Sequence, residues 1–184
     1  MDIETDRLVL RLVPLSGLAA TAAGNQSAAR RIIGSSLGQE WFDHAWVSDL
    51  RLKQWTANPA YGPWSIRAAA LKRSGEIVGT INSHNTPMDF IHDGRTRRTI
   101  EVGYTVFMPW RRVGIAFEMV SAYASWATGK GVESVLLSIA PDNQASLGLA
   151  RKLGARRIGE HVDEIDGPED IFLFDTEYGE TGEM

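Results

Sequence analysis

The chain of 184 residues contains no cysteine. Disulfides, thiolate metal sites and a cysteine-borne acyl-enzyme are therefore excluded. Any acyl group the protein handles is expected to pass directly from donor to acceptor. No apolar run reaches the ~18 residues that a membrane-spanning helix needs. The first seven residues, Met1-Asp2-Ile3-Glu4-Thr5-Asp6-Arg7, are acidic and lack an apolar signal region. A cytoplasmic location without membrane association is the expectation. Excess positive charge is also missing. The formal net charge of −4 argues against nucleic acid as the main partner and suits a cationic acceptor such as an amine. His44, His84, His92 and His161 show no metal-ligand spacing, so no metal is expected. Neither a Gly-Lys-Ser/Thr phosphate loop, nor G-x-G-x-x-G, nor a G-x-S-x-G nucleophile elbow occurs.

What is present fits one domain with a full core, residues 1–176, followed by an acidic tail, 177–184. Six tryptophans are many for this length and suggest aromatic-lined grooves or a Trp-rich core. Residues 7–13 alternate as a strand that Pro14 ends, and the Ala-rich segment 15–31 reads as helix broken at Gly24. Segment 39–55 reads as a second helix, with Phe42, Trp46 and Leu50 on one face. Segments 64–71 and 76–82 form a predicted hairpin, and 84–98 reads as a long polar loop. Strand 101–107, helix 116–130, strand 134–140 and helix 144–153 come next. Late strands 156–159 and 170–176, joined by the turn 165–168, complete the order. This is a mixed α/β sheet with one clear βαβ unit in its second half.

Arg111-Arg112-Val113-Gly114-Ile115-Ala116 joins the strand 101–107 to the helix 116–130. A glycine and arginines at a helix N-terminus make a ready anion site, because the first-turn amides and the helix dipole both favour a phosphate. The pattern Arg111-x-x-Gly114-x-Ala116 resembles the acetyl-CoA loop of the GCN5-related N-acetyltransferase (GNAT) family. Downstream, Pro141-x-Asn143-x-x-Ser146 and Lys152-Leu153-Gly154-Ala155 resemble the family's second signature, with Ala155 where an aromatic is usual. Glu4-Thr5-Asp6-Arg7-Leu8-Val9-Leu10-Arg11 resembles the opening of the RimJ/RimL-like branch.

The resemblance implies the GNAT fold: a central, mostly antiparallel sheet with a splayed parallel strand pair and flanking helices. It implies acetyl-CoA as cosubstrate and transfer to a primary amine, on a protein or peptide N-terminus or a small molecule, by a monomer or homodimer. Backbone near Val106 and Met108 would meet the pantetheine arm. Amides of Arg111, Arg112, Val113, Gly114, Ile115 and Ala116 would hold the pyrophosphate, and Asn143 would bond the pantetheine from the far side. Glu101 is the first candidate general base and Glu160 the second. The tyrosine that many family members carry four residues before Gly154 is Ala150 here. Ser146 is therefore assigned as donor to the departing thiolate, with Tyr104 as substitute. Trp41, Trp46 and His84 are the candidate acceptor-binding residues. A non-catalytic acyl-CoA-binding module of the same fold is the alternative reading.

Overall fold

The structure, a computed structural model, describes residues 2–163 and 167–176. Strands β1 (Ile3–Glu4) and β2 (Leu8–Leu12) lead into four helices, α1 (Leu15–Ala22), α2 (Gln26–Ile33), α3 (Gln39–Asp43) and α4 (Ala45–Ala57). A 3-10 segment, Pro59–Trp64, precedes β3 (Arg67–Leu71), β4 (Ile77–Ser83), β5 (Met88–His92) and β6 (Arg95–Val106). Then come α5 (Ile115–Thr128), β7 (Ser134–Ile139), α6 (Gln144–Lys152), β8 (Arg156–Asp163) and β9 (Gly167–Asp175). The sheet order is β1-β2-β3-β4-β6-β7-β9-β8, with β5 paired to β6 beside this path. Every described pairing is antiparallel except β6 with β7.

Alternation along the strands sorts side chains onto two faces. One face carries α1 to α4 over a cluster including Val13, Leu18, Trp41, Ile66, Ala68 and Phe107. The other carries α5 and α6 over Ile100, Val102, Met119, Tyr123, Val135, Leu137 and Leu149. β3 is buried throughout, and Ala68, Ala69 and Ala70 let both layers approach it closely. Asn25 caps α2 by accepting from the Ala28 N–H at 3.1 Å, and Arg30 and Arg31 complement the dipole in its last turn.

Three expectations need correction. Residues 84–98 are not a long loop: β5 and the first part of β6 form a hairpin there. Its two-residue turn is Asp93-Gly94, with φ of 51° and 68°, the Asp-Gly chemistry that tight hairpins require. The charges on Arg95, Arg97 and Arg98 obscure the alternation, and the ribbon is largely exposed although it carries Met88, Phe90 and Ile91. Segment 39–55 is two helices, because His44 leaves helical geometry (φ −104°, ψ 23°). The break reorients α4 relative to α3, so Phe42 packs inward while Trp46 and Leu50 are exposed. The strand expected from Trp64 begins only at Arg67, since the segment before it coils as a 3-10 turn. The tail 177–184 and the first half of the turn 165–168 lie outside the described residues.

Gly94→Ala tests the hairpin. A Cβ there meets nothing within 4 Å, so only the positive φ opposes it. The expected cost is about 1 kcal/mol in urea unfolding, and an unchanged midpoint would mean that residues 93–94 are not held in this turn.

Candidate active site

β6 and β7 pair only over Thr99↔Ser134, Ile100↔Val135 and Glu101↔Leu136. Beyond Glu101, β6 stays with β4 as far as Val106↔Gly79, while β7 stays with β9 as far as Ile139↔Asp170. The two strands therefore part, as a splayed parallel pair. Glu101 C=O accepts from the His84 N–H, and Phe107 N–H donates to Val78 C=O. Odd-numbered backbone groups of β6 thus face β4. Since alternate residues of a strand aim these groups at opposite edges, Val102, Tyr104 and Val106 turn theirs toward the opening.

The same alternation divides the side chains. Gly103 and Thr105 lie on the α4 side and, with Tyr104, line a cavity of about 360 Å³; alternation puts Glu101 on the same side, behind His84. Its walls include Trp41, Trp46, Arg51, Asn82 and His84. Two of the proposed acceptor residues, Trp41 and His84, pack into these walls, and the third, Trp46, stands 56% exposed at them. His84 Nδ1 is 3.3 Å from Glu101 Oε1, and the Ser138 hydroxyl donates to the same oxygen at 2.8 Å. Burial pushes the Glu101 carboxyl up. The hydrogen bonds and charge of His84 and the Ser138 hydroxyl outweigh that and hold it below its ordinary value. Gly103 makes room for this arrangement, since a Cβ there would lie 2.6 Å from His84 Nε2. Glu160 sits apart on β8, exposed and ion-paired with Arg157.

On the opposite face, the Tyr104 hydroxyl donates to Ser146 Oγ at 2.9 Å. Burial raises the Tyr104 phenol against the smaller opposing effect of that bond, so it keeps its proton at neutral pH. Asn143 caps α6 by accepting from the Ser146 N–H at 3.1 Å, which leaves its amide NH₂ as the free donor group.

The loop before α5 turns through two left-handed residues, Arg112 (φ 65°) and Gly114 (φ 85°). Gly114 is the N-cap and supplies no side-chain acceptor, so the first-turn amides of α5 have no partner within the helix. That cradle suits an anion of pyrophosphate type. Arg7 braces it. Its Nε is 2.6 Å from Glu118 Oε2, its N–H donates to Glu118 Oε1 at 2.9 Å, and its Nη1 donates to Val113 C=O at 3.0 Å. The Met108 N–H donates to Glu40 Oε2 at 2.8 Å, and Arg111 Nε donates to Val106 C=O at 2.8 Å. Two backbone groups expected to meet pantetheine are thus held by this chain's own side chains.

A family model described as an acetyltransferase (GNAT) domain matches residues 7–156. The chain belongs to the GNAT family. It is by that membership an acetyl-CoA-dependent acetyltransferase. Its fold is shared by the ribosomal-protein-S5-alanine acetyltransferase of Vibrio fischeri (TM-score 0.64, 16% identity, 97% of this chain and 98% of that one). A GNAT-family acetyltransferase of Bacillus anthracis (0.60, 18%, 96% and 99%) and RimJ of Mycobacterium smegmatis in complex with CoA-disulfide (0.58, 18%, 91% and 81%) share it too. Among the described residues, no helix of this acetyltransferase is long and apolar enough to cross a membrane. No group of three or more His, Asp or Glu side chains there is arranged to hold a metal.

Sequence reasoning passes over Arg51, Glu40, Ser138 and Glu118. Ser138 and Glu101 come together because each lies on the same face of its strand, which alternation indicates once the two strands are known to be parallel neighbours. Arg51 and Glu40 carry no motif.

The Arg7–Glu118 brace predicts a pH effect. Burial raises the Glu118 carboxyl, but bonds from Thr5 and Arg7 outweigh it and hold it below its ordinary value. A carboxyl depressed by folding contributes its stabilisation above its unfolded pKa and loses it as pH falls through the folded value. Wild type should therefore lose stability below about pH 4.5 more steeply than Glu118→Gln. Urea unfolding across pH checks this, and parallel curves would dissolve the linkage.

Proposed function

We propose that the protein moves an acetyl group from acetyl-CoA to a primary amine by direct transfer in a ternary complex, with acceptor and leaving group on opposite faces of the sheet. The observation that carries this reading is the alternation along β6: Glu101 contacts His84 in the cavity wall, while the Tyr104 side chain packs against the cluster of the opposite face and bonds Ser146. The bound cosubstrate supplies the thioester carbonyl that the amine attacks. First-turn amides of α5 and the Gly114 turn hold its pyrophosphate, and the β6 backbone facing the opening pairs with the pantetheine amides. Engagement there exchanges the Glu40 and Arg111 contacts for ligand contacts.

Glu101, ionised at neutral pH, receives the amine proton directly or through His84, which stands between it and the cavity. As the new C–N bond forms and the C–S bond breaks, negative charge collects on sulfur. The Ser146 hydroxyl, polarised by the hydrogen bond it accepts from the Tyr104 phenol, donates to it, and preorganised donors act where charge develops. RimJ of Mycobacterium smegmatis, solved with CoA-disulfide, supports a CoA site in this fold. The alanine acetyltransferase of Vibrio fischeri supports a peptide amine as one acceptor type.

Glu101→Gln should lower kcat about 10²–10⁴-fold while acetyl-CoA affinity holds, with partial recovery at high pH as more acceptor amine is already neutral. The pH–rate profiles of both proteins decide it: rates within about twofold throughout would remove Glu101 from the base role.

Ser146→Ala and Tyr104→Phe should each depress kcat more than they change CoA affinity, because a donor to sulfur acts chiefly in the transition state. Joined by one hydrogen bond, the two should be non-additive in a double-mutant cycle. Additive losses would show that they serve sulfur independently.

A further inference from the structure

Arg51 is a buried cation without a carboxylate partner. It lies on α4, is only 5% exposed, and lines the cavity on the acceptor face. Its Nε donates to Asn82 Oδ1 at 2.8 Å and its Nη1 to Gln54 Oε1 at 2.8 Å, both neutral acceptors. Among the described residues no carboxylate lies within ion-pair distance of it, and Nη2 has no hydrogen-bond acceptor. Burial lowers its pKa, opposed chiefly by Tyr61 and then by the charge of Glu101, but a guanidinium keeps its proton. A buried charge is costly unless paired. The other buried arginine, Arg67, shows a structural solution: it lies over the Trp126 ring and donates to the carbonyls of Leu10 and Pro63. Arg51 instead presents its cation to a cavity.

We propose that Arg51 binds the carboxylate of the acceptor, so that the preferred substrate of the reaction proposed above is a free α-amino acid with an apolar or aromatic side chain. This rests on the acetyltransfer reading for its reaction but not for its binding site. The cavity is polarised to match a zwitterion: Arg51 supplies the positive end, and His84 with Glu101 behind it marks where the amine must sit. A planar guanidinium matches a carboxylate in geometry as well as charge. Trp41, Trp46, Val47, Leu50 and Ile66 form an apolar stretch of wall suited to a hydrophobic side chain, beside the polar His44, Ser48, Thr80 and Thr105 and the carboxylate-bearing Asp163. At about 360 Å³, the cavity lies near the small end of ligand pockets, about 300–1,000 Å³.

The test compares phenylalanine and tryptophan with phenylalanine amide, phenethylamine and tryptamine. Binding to the CoA-saturated protein is measured by calorimetry, and turnover by free-thiol release from acetyl-CoA. Each amino acid should exceed its carboxylate-free partner by about 10–100-fold in affinity and in kcat/KM, the range of a charge-assisted hydrogen bond. Arg51→Gln should collapse that ratio mainly through KM, while Arg51→Lys retains part of it. Because Arg51→Gln could fail to fold, the wild-type ratio stands as a test by itself. Equal binding and turnover of the amines and the amino acids by wild type would overturn the proposal and leave acetyl transfer intact. Arg51-dependent binding of amino acids with no thiol release would uphold the carboxylate site and defeat the acetyltransfer reading.

Discussion

The parting of β6 from β7 after Glu101 is the constraint on which the site depends. Each strand keeps one neighbour, β4 or β9, and neither keeps the other. Backbone groups inside a sheet are ordinarily paired, because leaving them unmet away from water is costly. Here the exposed edge of β6 is instead met by side chains, as where Arg111 covers the Val106 carbonyl. The three residue pairs that hold the strands together are backed by a buried bond between the Thr99 and Ser134 hydroxyls at 2.7 Å. Those pairs fix where the opening begins, and so where Glu101 stands.

From that point strand alternation does the sorting. A carboxylate and a phenol three residues apart reach opposite faces without any further device. Their environments shift the two groups in opposite directions. Neighbours hold Glu101 ionised, while burial keeps Tyr104 protonated. The carboxylate is set by His84 and Ser138 beside it, and the phenol by burial and its bond to Ser146. Gly103, between them in sequence, leaves room for His84 on the cavity side.

Much of this is legible in the sequence. The Gly114 turn and the strand order around α5 follow from local chemistry: a glycine at a helix start and apolar periodicity between turns. The exposed hairpin of β5 and β6 escapes such reading because charged residues interrupt its few apolar ones, although Asp93-Gly94 marks the turn. The break at His44 escapes it because no glycine or proline announces it. Arg51, Glu40 and Ser138 are beyond reach for a different reason. Their significance comes from neighbours distant in sequence, and single-chain pattern reading has no access to such pairs until the topology is known.

The brace between Arg7 and Glu118 bears on how the chain folds. It joins residues 111 apart in sequence, so the two halves of the contact leave the ribosome far apart in time. The turn before α5 cannot take its braced form until α5 has emerged and the N-terminal strand has docked beside β3. Contacts of this span slow folding, because loop closure must be met before they contribute. The cradle at Gly114 is therefore completed late, after the sheet has brought both ends of its longest loop together.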